Sequence, residues 1–426
     1  MIIKNQKKLT FQISYLIIIF TLLYSCDVTE PLFDKYSPSG TYLISWNNLP
    51  KLGSDDNLRL GGFVGLFYKN NRTFYTVTNR GPVSQKLDEN GAIVNFIDPT
   101  FVPKIIELEL QDNNTIKVVN QIAIKRPGGF NTSGLLLSNS WNSDEAVTNS
   151  NFGQDDWGIY PGGILMDITN NYFWISDQYN PALMKVTANG EWVQRLKPNE
   201  GFRRALSNHT VNGGFAGIDF WGQESFVTLN ARCLERNFNP DEKAGSVNYR
   251  MRRVTTYNLK TNTDLSMLYY VEPESYDGIP ERFVQLGDIA CVNDTSFLVT
   301  EFANYNGIER NLLYLVSTDD STTKAPIGLE GILGKTIETL SAKEIRVNKI
   351  KPMNKLLLYD LSLTNIKRPE GIAIIDKSHI AVIDNNRFGI VNDDPVSASY
   401  TLEKNPIYLE IITLPTNLDL SKRAGF

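Results

Sequence analysis

Five polar residues recur at nearly the same place in five short segments of the 426-residue chain. Each segment opens with an apolar run, turns over polar residues and ends a second apolar run on an acid or an amide. From Gly65, Gly163, Gly217, Asp288 and Gly371, the polar end lies 14, 14, 13, 13 and 13 positions further on. Those ends are Asn79, Asp177, Asn230, Glu301 and Asp384. In a repeat protein, a residue repeated at one place in every unit is brought to one region of the fold.

Acidic groups at these positions suit two kinds of chemistry. A hard cation such as Ca²⁺ takes about six to eight oxygen ligands, so we predict Asp177, Asp288, Glu301, Glu370 and Asp384 as metal ligands. Carboxylates crowded without a cation would have raised pKa values. Asp177, Glu301, Glu370 and Asp384 are therefore also predicted as catalytic acids and bases. For each residue taken alone, the alternative is a turn or a blade-locking role.

Three arginines follow the polar strand ends by one to three positions. Arg80, Arg232 and Arg387 are predicted to bind an anionic substrate, because a guanidinium presents a fork of donors to carboxylate or phosphate. The amides Asn79 and Asn230 are predicted to contact the same ligand. The alternative for the arginines is pairing with the nearby acids.

The elements that would position these residues are antiparallel strands. Further hairpins follow several of the repeats, as at 183–196 and 249–271, so each unit reads as four strands. Radial repetition of four-stranded units makes a β-propeller. We predict an all-β propeller of six blades, with five clear units and a sixth at 101–124. A strand near 41–46 is predicted to close the ring with a final strand at 406–414.

Composition is typical of a globular protein and gives no support to one class of partner. The net charge of −5 and the pI of about 5.4 give no reason to expect nucleic-acid binding. Two cysteines beyond the N-terminal region, Cys233 and Cys291, are interpreted as free thiols, with a disulfide as the alternative.

The N-terminal 25 residues are typical of a targeting segment. Lys4, Lys7 and Lys8 precede a mostly apolar run, 11–24, that is shorter than a membrane span of about 20 residues. The sequence Leu23-Tyr24-Ser25-Cys26 resembles a bacterial lipobox. We therefore predict a lipoprotein signal peptide at 1–25, lipidation of Cys26, a tether at 26–40 and a single propeller domain at 41–426. A plain secretory signal and an uncleaved anchor are the alternatives.

Several motifs resemble one known family. The segments GGFVGL with FYTVTNRGP, GILMD with FWISDQYNPALMKV, GGFAGI with FVTLNARCLE, and RPEGIAII with IAVIDNNRFG resemble the phytase-like domain of "esterase-like activity of phytase" proteins, over residues 45–415. This resemblance implies a β-propeller that hydrolyses ester bonds, phosphate esters included, with a dependence on metal. Members often carry Glu before the Gly of the second and third units. Gly162 and Ala216 stand there in this chain, whereas Glu370 keeps the pair.

The leading hypothesis is a lipid-anchored hydrolase of the bacterial cell envelope that acts on a small anionic ester, with Ca²⁺ as a possible cofactor. It would be a monomer that meets the membrane only through its anchor. One alternative is a non-catalytic propeller that binds a glycan, peptide or envelope partner. A second is a lactonase-like metal hydrolase.

Overall fold

The computed structural model describes residues 39–53, 55–88, 91–137, 145–148, 153–202, 206, 212–222, 224–232, 250–272, 278–320, 322, 340, 342–421 and 423. The predicted signal peptide, most of the tether, Cys26 and Cys233 lie outside the described residues. Cys291 is a buried free thiol, as the sequence analysis expected.

Five blades, each with four antiparallel strands, follow one another along the chain, and one of them has a short fifth strand in parallel. This arrangement confirms the all-β propeller. In each blade, the first strand lies innermost and the chain moves outward. Blade 1 consists of Phe63–Asn70, Thr73–Thr78, Lys104–Leu110 and Ile116–Ala123. Blade 2 consists of Pro161–Asp167, Tyr172–Asp177, Ala182–Thr187 and Trp192–Pro198, with the short strand Gly201–Phe202 beyond them. Blade 3 consists of Phe215–Phe220, Ser225–Asn230, Met251–Asn258 and Thr263–Tyr270.

The last two blades complete the ring. Blade 4 consists of Gln285–Cys291, Ser296–Tyr305, Ile308–Ser317 and Asn354–Asp360. Blade 5 consists of Pro369–Ile374, His379–Asp384, Ile407–Thr413 and, from the start of the domain, Gly40–Ile44. Gly40 pairs with Ile411 and Ile44 with Ile407. The predicted closure between the two ends of the domain is therefore correct.

The described residues form five blades rather than six. The region 101–124 is not a separate unit but the outer hairpin of blade 1, because Lys104–Leu110 pairs with Thr73–Thr78 and Ile116–Ala123 pairs with Lys104–Leu110. A hairpin of Val83–Asp88 and Gly91–Phe96 is inserted between the inner and outer strands of that blade. This insertion separates the two halves of blade 1 in the sequence, so they read as two units.

Smaller elements decorate the ring. Glu145–Val147 pairs in parallel with Gly91–Phe96. Two further hairpins are Lys51–Leu52 with Asp55–Arg59 and Ile390–Asp394 with Ser399–Leu402. The described residues also include five short helices: the 3₁₀ helices Trp46–Asn48, Glu281–Phe283, Leu361–Leu363 and Arg387–Gly389, and the α-helix Ala342–Val347. Within the described part of the chain, none of the helices has the length and apolar character needed to cross a membrane.

The hydrophobic core lies between neighbouring blades. The rings of Tyr75 in blade 1 and Phe173 in blade 2 meet edge-on at 5.0 Å, and those of Trp174 and Phe226 join blades 2 and 3 at 4.6 Å. Each blade is apolar on both faces because both are covered by another blade. This explains why the second strands read as continuous apolar runs rather than as alternating ones.

The recurring glycines bring the five innermost strands together at the axis. A Cβ on Gly65 would lie 2.5 Å from the Ile164 nitrogen, and one on Gly163 would lie 2.8 Å from the Gly217 Cα. A Cβ on Gly371 would likewise lie 2.8 Å from the Gly65 carbonyl carbon. Only a residue without a side chain permits backbone contact this close. In blade 4 Asp288 takes the corresponding place in the register.

Candidate functional site

The register of the blades places the polar strand ends at one face of the ring, here called the mouth face. Each strand end pairs with the first residues of the innermost strand of its own blade. Asp177 lies opposite Pro161, Asn230 opposite Phe215, Glu301 opposite Leu286 and Asp384 opposite Pro369. Whether a side chain reaches the axis then depends on which way each of these residues faces.

A cavity of about 110 Å³ opens at the mouth face and is called the mouth cavity. Four arginines line it: Arg80, Arg232, Arg368 and Arg387. The other lining residues are amides, aromatic residues, one valine and one glycine: Asn79, Gln85, Gln178, Asn212, Gln285, Asn385, Tyr160, Phe388, Val83 and Gly81. No Asp or Glu is among these described lining residues. The structure therefore brings the three predicted arginines and Asn79 together.

Arg80 is held rigidly in an aromatic box. Its side chain is fully buried, and its Nη1 and Nη2 donate hydrogen bonds to the Tyr179 hydroxyl (3.2 Å) and Gln85 Oε1 (3.0 Å). The guanidinium carbon lies 4.7 Å from the centre of the Tyr160 ring and 5.7 Å from that of Phe96. Cation–π contacts of this kind stabilise a charge that has left water. The positive charge is thus fixed in place before any ligand arrives.

Arg387 is presented by a turn with an unusual backbone. Arg387 and Phe388 have φ values of 48° and 58°, a region that residues other than glycine occupy rarely. Asn385 Oδ1 accepts the Arg387 N–H and Asn386 Oδ1 accepts the Phe388 N–H. The guanidinium also forms an ion pair with Asp393 at 2.9 Å. Strained backbone held by side-chain hydrogen bonds is typical of functional turns.

Arg368 is a lining residue that the sequence analysis did not select. Its Nε and Nη2 lie 2.9 and 2.7 Å from Glu370 Oε1, and its guanidinium carbon lies 4.9 Å from the centre of the Phe302 ring. Arg368 immediately precedes the innermost strand of blade 5, and Tyr160 has the same place in blade 2. The missed signal was therefore the position just before the innermost strand, because arginines were sought only just after the second strand.

The two predicted amides have different surroundings. Asn79 lines the mouth cavity, and its Oδ1 accepts the Gly81 N–H at 3.0 Å. Asn230 is fully buried and does not line the cavity. Its Nδ2 donates to the Gly213 carbonyl oxygen at 2.8 Å, so it fixes the loop that enters blade 3.

Asp177 is buried in blade 2, and both of its carboxylate oxygens have partners there. Its Oδ1 accepts the N–H groups of Tyr160 (3.1 Å) and Tyr179 (2.9 Å), and its Oδ2 forms an ion pair with Arg195 at 2.7 Å. Burial raises the pKa of Asp177, and the opposing effects of Arg195 and the backbone donors are smaller. These contacts are those of the blade-locking alternative.

Glu301 is buried between blades 3 and 4. It accepts a hydrogen bond from the Tyr269 hydroxyl and forms an ion pair with Lys355. Lys355 also forms an ion pair with Glu272 at 2.6 Å and is itself buried. These partners account for Glu301 without a ligand at the mouth.

Asp288 lies in the axial layer of glycines rather than at the mouth. Its Oδ1 accepts the Ile289 N–H at 2.8 Å, and its Oδ2 accepts the Ile372 N–H at 2.9 Å. The carboxylate therefore links the innermost strands of blades 4 and 5. Burial raises the pKa of Asp288 well above the usual value.

The two acids of blade 5 lie beside the mouth cavity. Asp384 Oδ1 accepts the N–H groups of Lys367 (2.8 Å) and Arg368 (2.9 Å), while Glu370 holds the Arg368 side chain. Burial raises the pKa of Asp384 to about 6. With this pKa, Asp384 can change its ionisation between weakly acidic and neutral pH.

A second cavity, of about 440 Å³, adjoins the mouth cavity between blades 4 and 5 and is called the side groove. The two cavities share Gln285, Arg368, Asn385 and Arg387 as walls. Asp384 lines the side groove. A molecule whose charged group lies among the arginines could thus extend past Asp384.

The predicted acids do not fit a calcium ion as a set. Among the described residues, no group of three or more His, Cys, Asp or Glu side chains is arranged to hold a metal. Asp177, Asp288 and Glu301 each bind different backbone or side-chain partners in separate places. Gly162 has no side chain, and the structure leaves no room for one, because a Cβ there would lie 2.4 Å from the Phe215 carbonyl oxygen. A glutamate at this position would require the backbone of blade 3 to move.

Comparison with known families identifies the chain. A model of the phytase-like family, described as "esterase-like activity of phytase", matches residues 58–394. The chain belongs to this family. The match covers all five described blades except parts of blade 5, and it confirms the resemblance that the motifs indicate. Comparison with curated proteins finds no match.

Several solved structures resemble this phytase-like chain weakly. β-1,2-Mannobiose phosphorylase from Listeria innocua matches with a TM-score of 0.41 at 8% identity, over 88% of this chain and 97% of that one. The periplasmic gluconolactonase of Pseudomonas aeruginosa matches with a TM-score of 0.35 at 9% identity, over 88% and 100%. Likeness at this level carries no argument about function.

Proposed function

We propose that this phytase-like protein binds the anionic group of an ester in the mouth cavity and hydrolyses that ester, with phosphate esters as the preferred class. The observation that carries the proposal is that four arginines line one cavity whose described lining contains no acid. Two of them, Arg368 and Arg387, are also paired with Glu370 and Asp393. Such a site attracts an anion and offers it several charge-assisted hydrogen bonds.

The size of the mouth cavity favours a small charged group over a whole ligand. Pockets for drug-sized ligands measure about 300–1,000 Å³, whereas this one measures about 110 Å³. We therefore place only a phosphate or carboxylate group there. Arg80 is already fixed by its aromatic box, so its charge needs no reorganisation when the anion binds, which is the property that stabilises developing charge in a transition state.

Asp384 is the proposed general base. In this step a water molecule forms a bond from its oxygen to the phosphorus or carbonyl carbon, and it transfers a proton to Asp384. The bond to the leaving alkoxide breaks, and that group takes the proton from Asp384 or from solvent. Arg368 and Arg387 line both cavities and would stabilise the negative charge. With a pKa of about 6, Asp384 is mostly ionised at pH 7.

Binding without catalysis is the second candidate function. Three of the four predicted catalytic acids, Asp177, Glu301 and Glu370, are already in ion pairs with basic side chains. If Asp384 is inactive as a base, the same cavities remain a recognition site for an anionic glycan or peptide. The lactonase-like alternative depends on a metal, and the described acids do not supply its ligand set.

The proposed location is the bacterial cell envelope, with Cys26 as the lipidated residue. This part of the proposal is supported by the basic start, the apolar run and the lipobox-like sequence. We expect a Cys26→Ala variant to lose membrane association when cells are fractionated. A variant that stays with the membrane fraction to the same extent would contradict lipidation at this residue.

A direct test measures binding and turnover in the purified protein. We expect inorganic phosphate to bind, and Arg232→Gln to weaken this binding by about tenfold, since a hydrogen bond to a charged group contributes about 1.5–3 kcal/mol. The matched control is Arg72→Gln, because Arg72 pairs with the exposed Asp112 on the outside of blade 1. Equal phosphate affinity in the wild-type protein and the Arg232 variant would exclude the mouth cavity as the anion site.

Turnover separates the two candidate functions. Aryl phosphates, aryl esters and lactones are assayed with Ca²⁺ and with a chelator, in the wild-type protein and in Asp384→Asn. For the hydrolase we expect turnover that the Asp384 substitution lowers by about 10²–10⁴-fold, the usual contribution of a general base. If the wild-type protein binds phosphate but shows no turnover above that of the Asp384 variant, hydrolysis is contradicted and binding without catalysis is supported.

A further inference from the structure

The side groove is built by elements that the other blades lack. The second and third strands of blade 4 each have 10 residues, whereas the second strands of blades 1, 2, 3 and 5 have 6. The extra length carries Asn304 and Glu309 into one wall of the groove. The opposite wall comes from the hairpin Ile390–Asp394 with Ser399–Leu402 and from the residues that follow it.

The lining of the groove is rich in amides. Six asparagines contribute to it: Asn304, Asn365, Asn385, Asn386, Asn392 and Asn405. Each amide side chain has two N–H donors and one oxygen acceptor, which suits a hydroxyl group that both donates and accepts. The Tyr408 ring also lines the groove, and the face of an aromatic ring suits the apolar C–H surface of a sugar ring.

Some of this hydrogen-bonding capacity is not used within the described protein. Asn386 Nδ2 is buried and has no hydrogen-bond partner among the described atoms. Asn365 Nδ2 donates one hydrogen bond to Glu410 at 2.9 Å, which leaves its carbonyl oxygen available. A buried amide donor without a partner is costly, so a ligand hydroxyl that accepted from Asn386 would be favoured.

Charge differs sharply between the two adjoining cavities. The mouth cavity has four arginines, whereas the part of the groove beyond Arg368 and Arg387 has three acids, Asp384, Glu309 and Glu403, against the single base Lys367. A second phosphate on the ligand would therefore meet carboxylates rather than guanidinium groups. The groove favours an uncharged, hydroxylated group.

We propose that the ligand is a carbohydrate ester with one anionic group, which binds with the anion in the mouth cavity and the uncharged hydroxylated ring in the side groove. This inference rests on the proposed function, because it requires an anion site in the mouth cavity. It also excludes a uniformly phosphorylated polyol as the best ligand, since most of its phosphates would have to lie outside the arginine cluster.

The test compares three probes by titration calorimetry on the purified protein: inorganic phosphate, glucose 6-phosphate and inositol hexakisphosphate. We expect glucose 6-phosphate to bind at least about tenfold more tightly than inorganic phosphate, the gain that one or two hydrogen bonds supply. Inositol hexakisphosphate is expected to bind no more tightly than inorganic phosphate when the two are compared at the same high ionic strength, where long-range attraction is screened.

Variants assign the gain to the groove. Asn405→Leu and, separately, Asn304→Leu replace an amide of the groove with an apolar side chain of similar size. Each should reduce the ratio of glucose 6-phosphate affinity to inorganic phosphate affinity by about threefold or more, while the affinity for inorganic phosphate stays unchanged. The control is Asn120→Leu on the outermost strand of blade 1, which should alter neither affinity. Two groove variants are used so that a loss of folding in one, seen by circular dichroism, leaves the other informative.

The outcomes distinguish this inference from the proposed function. If no probe binds, the mouth cavity is not an anion site and both fail. If inorganic phosphate binds but glucose 6-phosphate gains nothing over it, or if the groove variants leave that gain intact, the function stands and the groove assignment is wrong. Tighter binding of inositol hexakisphosphate at high salt would also overturn the groove assignment.

Discussion

Asp177 and Asp384 occupy the same place in their blades but have different surroundings. Both end a second strand and are buried. In Asp177, one carboxylate oxygen accepts hydrogen bonds from two backbone N–H groups and the other accepts one from Arg195. In Asp384, Oδ1 accepts both of the backbone hydrogen bonds. Asp384 also borders the side groove. The same residue type at the same repeat position therefore has a structural role in one blade and is a candidate base in another.

Replacing Asp177 should affect stability much more than activity. Asp177→Ala leaves Arg195 and two backbone N–H groups without an acceptor, and breaking a buried ion pair in this way costs about 3–5 kcal/mol. Asp177→Asn keeps an acceptor for the backbone donors and should cost less. Urea unfolding measures both. Activity lost from a fully folded Asp177→Asn variant would contradict the structural assignment.

The raised pKa of Asp384 makes a pH-dependent contribution to stability. Its folded-state pKa of about 6 lies above the unfolded value of about 3.9, so the folded protein binds this proton more tightly. Protonation therefore favours folding at low pH, and this contribution is lost as pH rises from about 4 to about 6. Relative to Asp384→Asn, the wild-type protein should lose about 3 kcal/mol of unfolding free energy between pH 3.5 and pH 7.

Denaturant unfolding of the two proteins across this range checks the prediction. The amide variant keeps an oxygen that can accept from Lys367 and Arg368, so it is a matched reference without a titrating group. A difference between the two proteins that does not vary with pH would mean that Asp384 titrates at its ordinary pKa and is a poor candidate for a base.

At the scale of elements, the axial layer determines how closely five blades can pack. The innermost strands touch through Gly65, Gly163, Gly217 and Gly371, and the Asp288 carboxylate lies beside Gly217. The layer separates the mouth face from the opposite face of the ring. The glycines that mark each repeat in the sequence are therefore required by strand contact at the axis as well as by turn geometry.

Gly65→Ala should be strongly destabilising. Gly65 has a φ of 62°, and its new Cβ would lie 2.5 Å from the backbone nitrogen of Ile164. The backbone conformation costs about 1–2 kcal/mol and the overpacking about 1–3 kcal/mol more. Gly153→Ala is the matched control, because Gly153 has a φ of 72° and no atom within 4 Å of the added Cβ. Equal losses of unfolding free energy in the two variants would contradict contact at the axis.

At the scale of the whole molecule, one strand from the start of the domain completes the last blade. Gly40–Ile44 is the outermost strand of blade 5, and its neighbour Ile407–Thr413 lies about 370 residues later in the chain. Thr41 donates a hydrogen bond to Glu410 at 2.8 Å across this pair. The two ends of the domain are thus held by the same sheet.

Removing this strand should open the ring. A protein that begins at Trp46 loses the buried side chains of Tyr42 and Ile44, each worth about 1.5–3 kcal/mol, and exposes the edge of Ile407–Thr413. We expect a lower unfolding free energy and proteolytic cleavage near residues 407–413. A protein that begins at Ser39 is the control. If both proteins unfold at the same denaturant concentration, the strand does not close the ring.

The sequence by itself was sufficient for the fold class, the family and most of the arginines that line the mouth cavity. Short apolar runs, turn residues and the constant 13–14 residue spacing are local properties, and they repeat often enough to predict a propeller closed by its two ends. The arginines that follow strand ends were found for the same reason, since the repeat converts a sequence position into a place near the axis. The number of blades was overestimated, because an insertion divides blade 1 in the sequence.

Only the tertiary structure decided which acids border a cavity and which are bonded within or between blades. The partners of Asp177, Glu301 and Asp288 come from other strands or other blades, and no local pattern shows that these carboxylates are already occupied. Arg368 and the amides of the side groove became visible for the converse reason. They lie at the junction of two blades that the chain reaches almost a hundred residues apart, and a shared cavity depends on packing rather than on spacing.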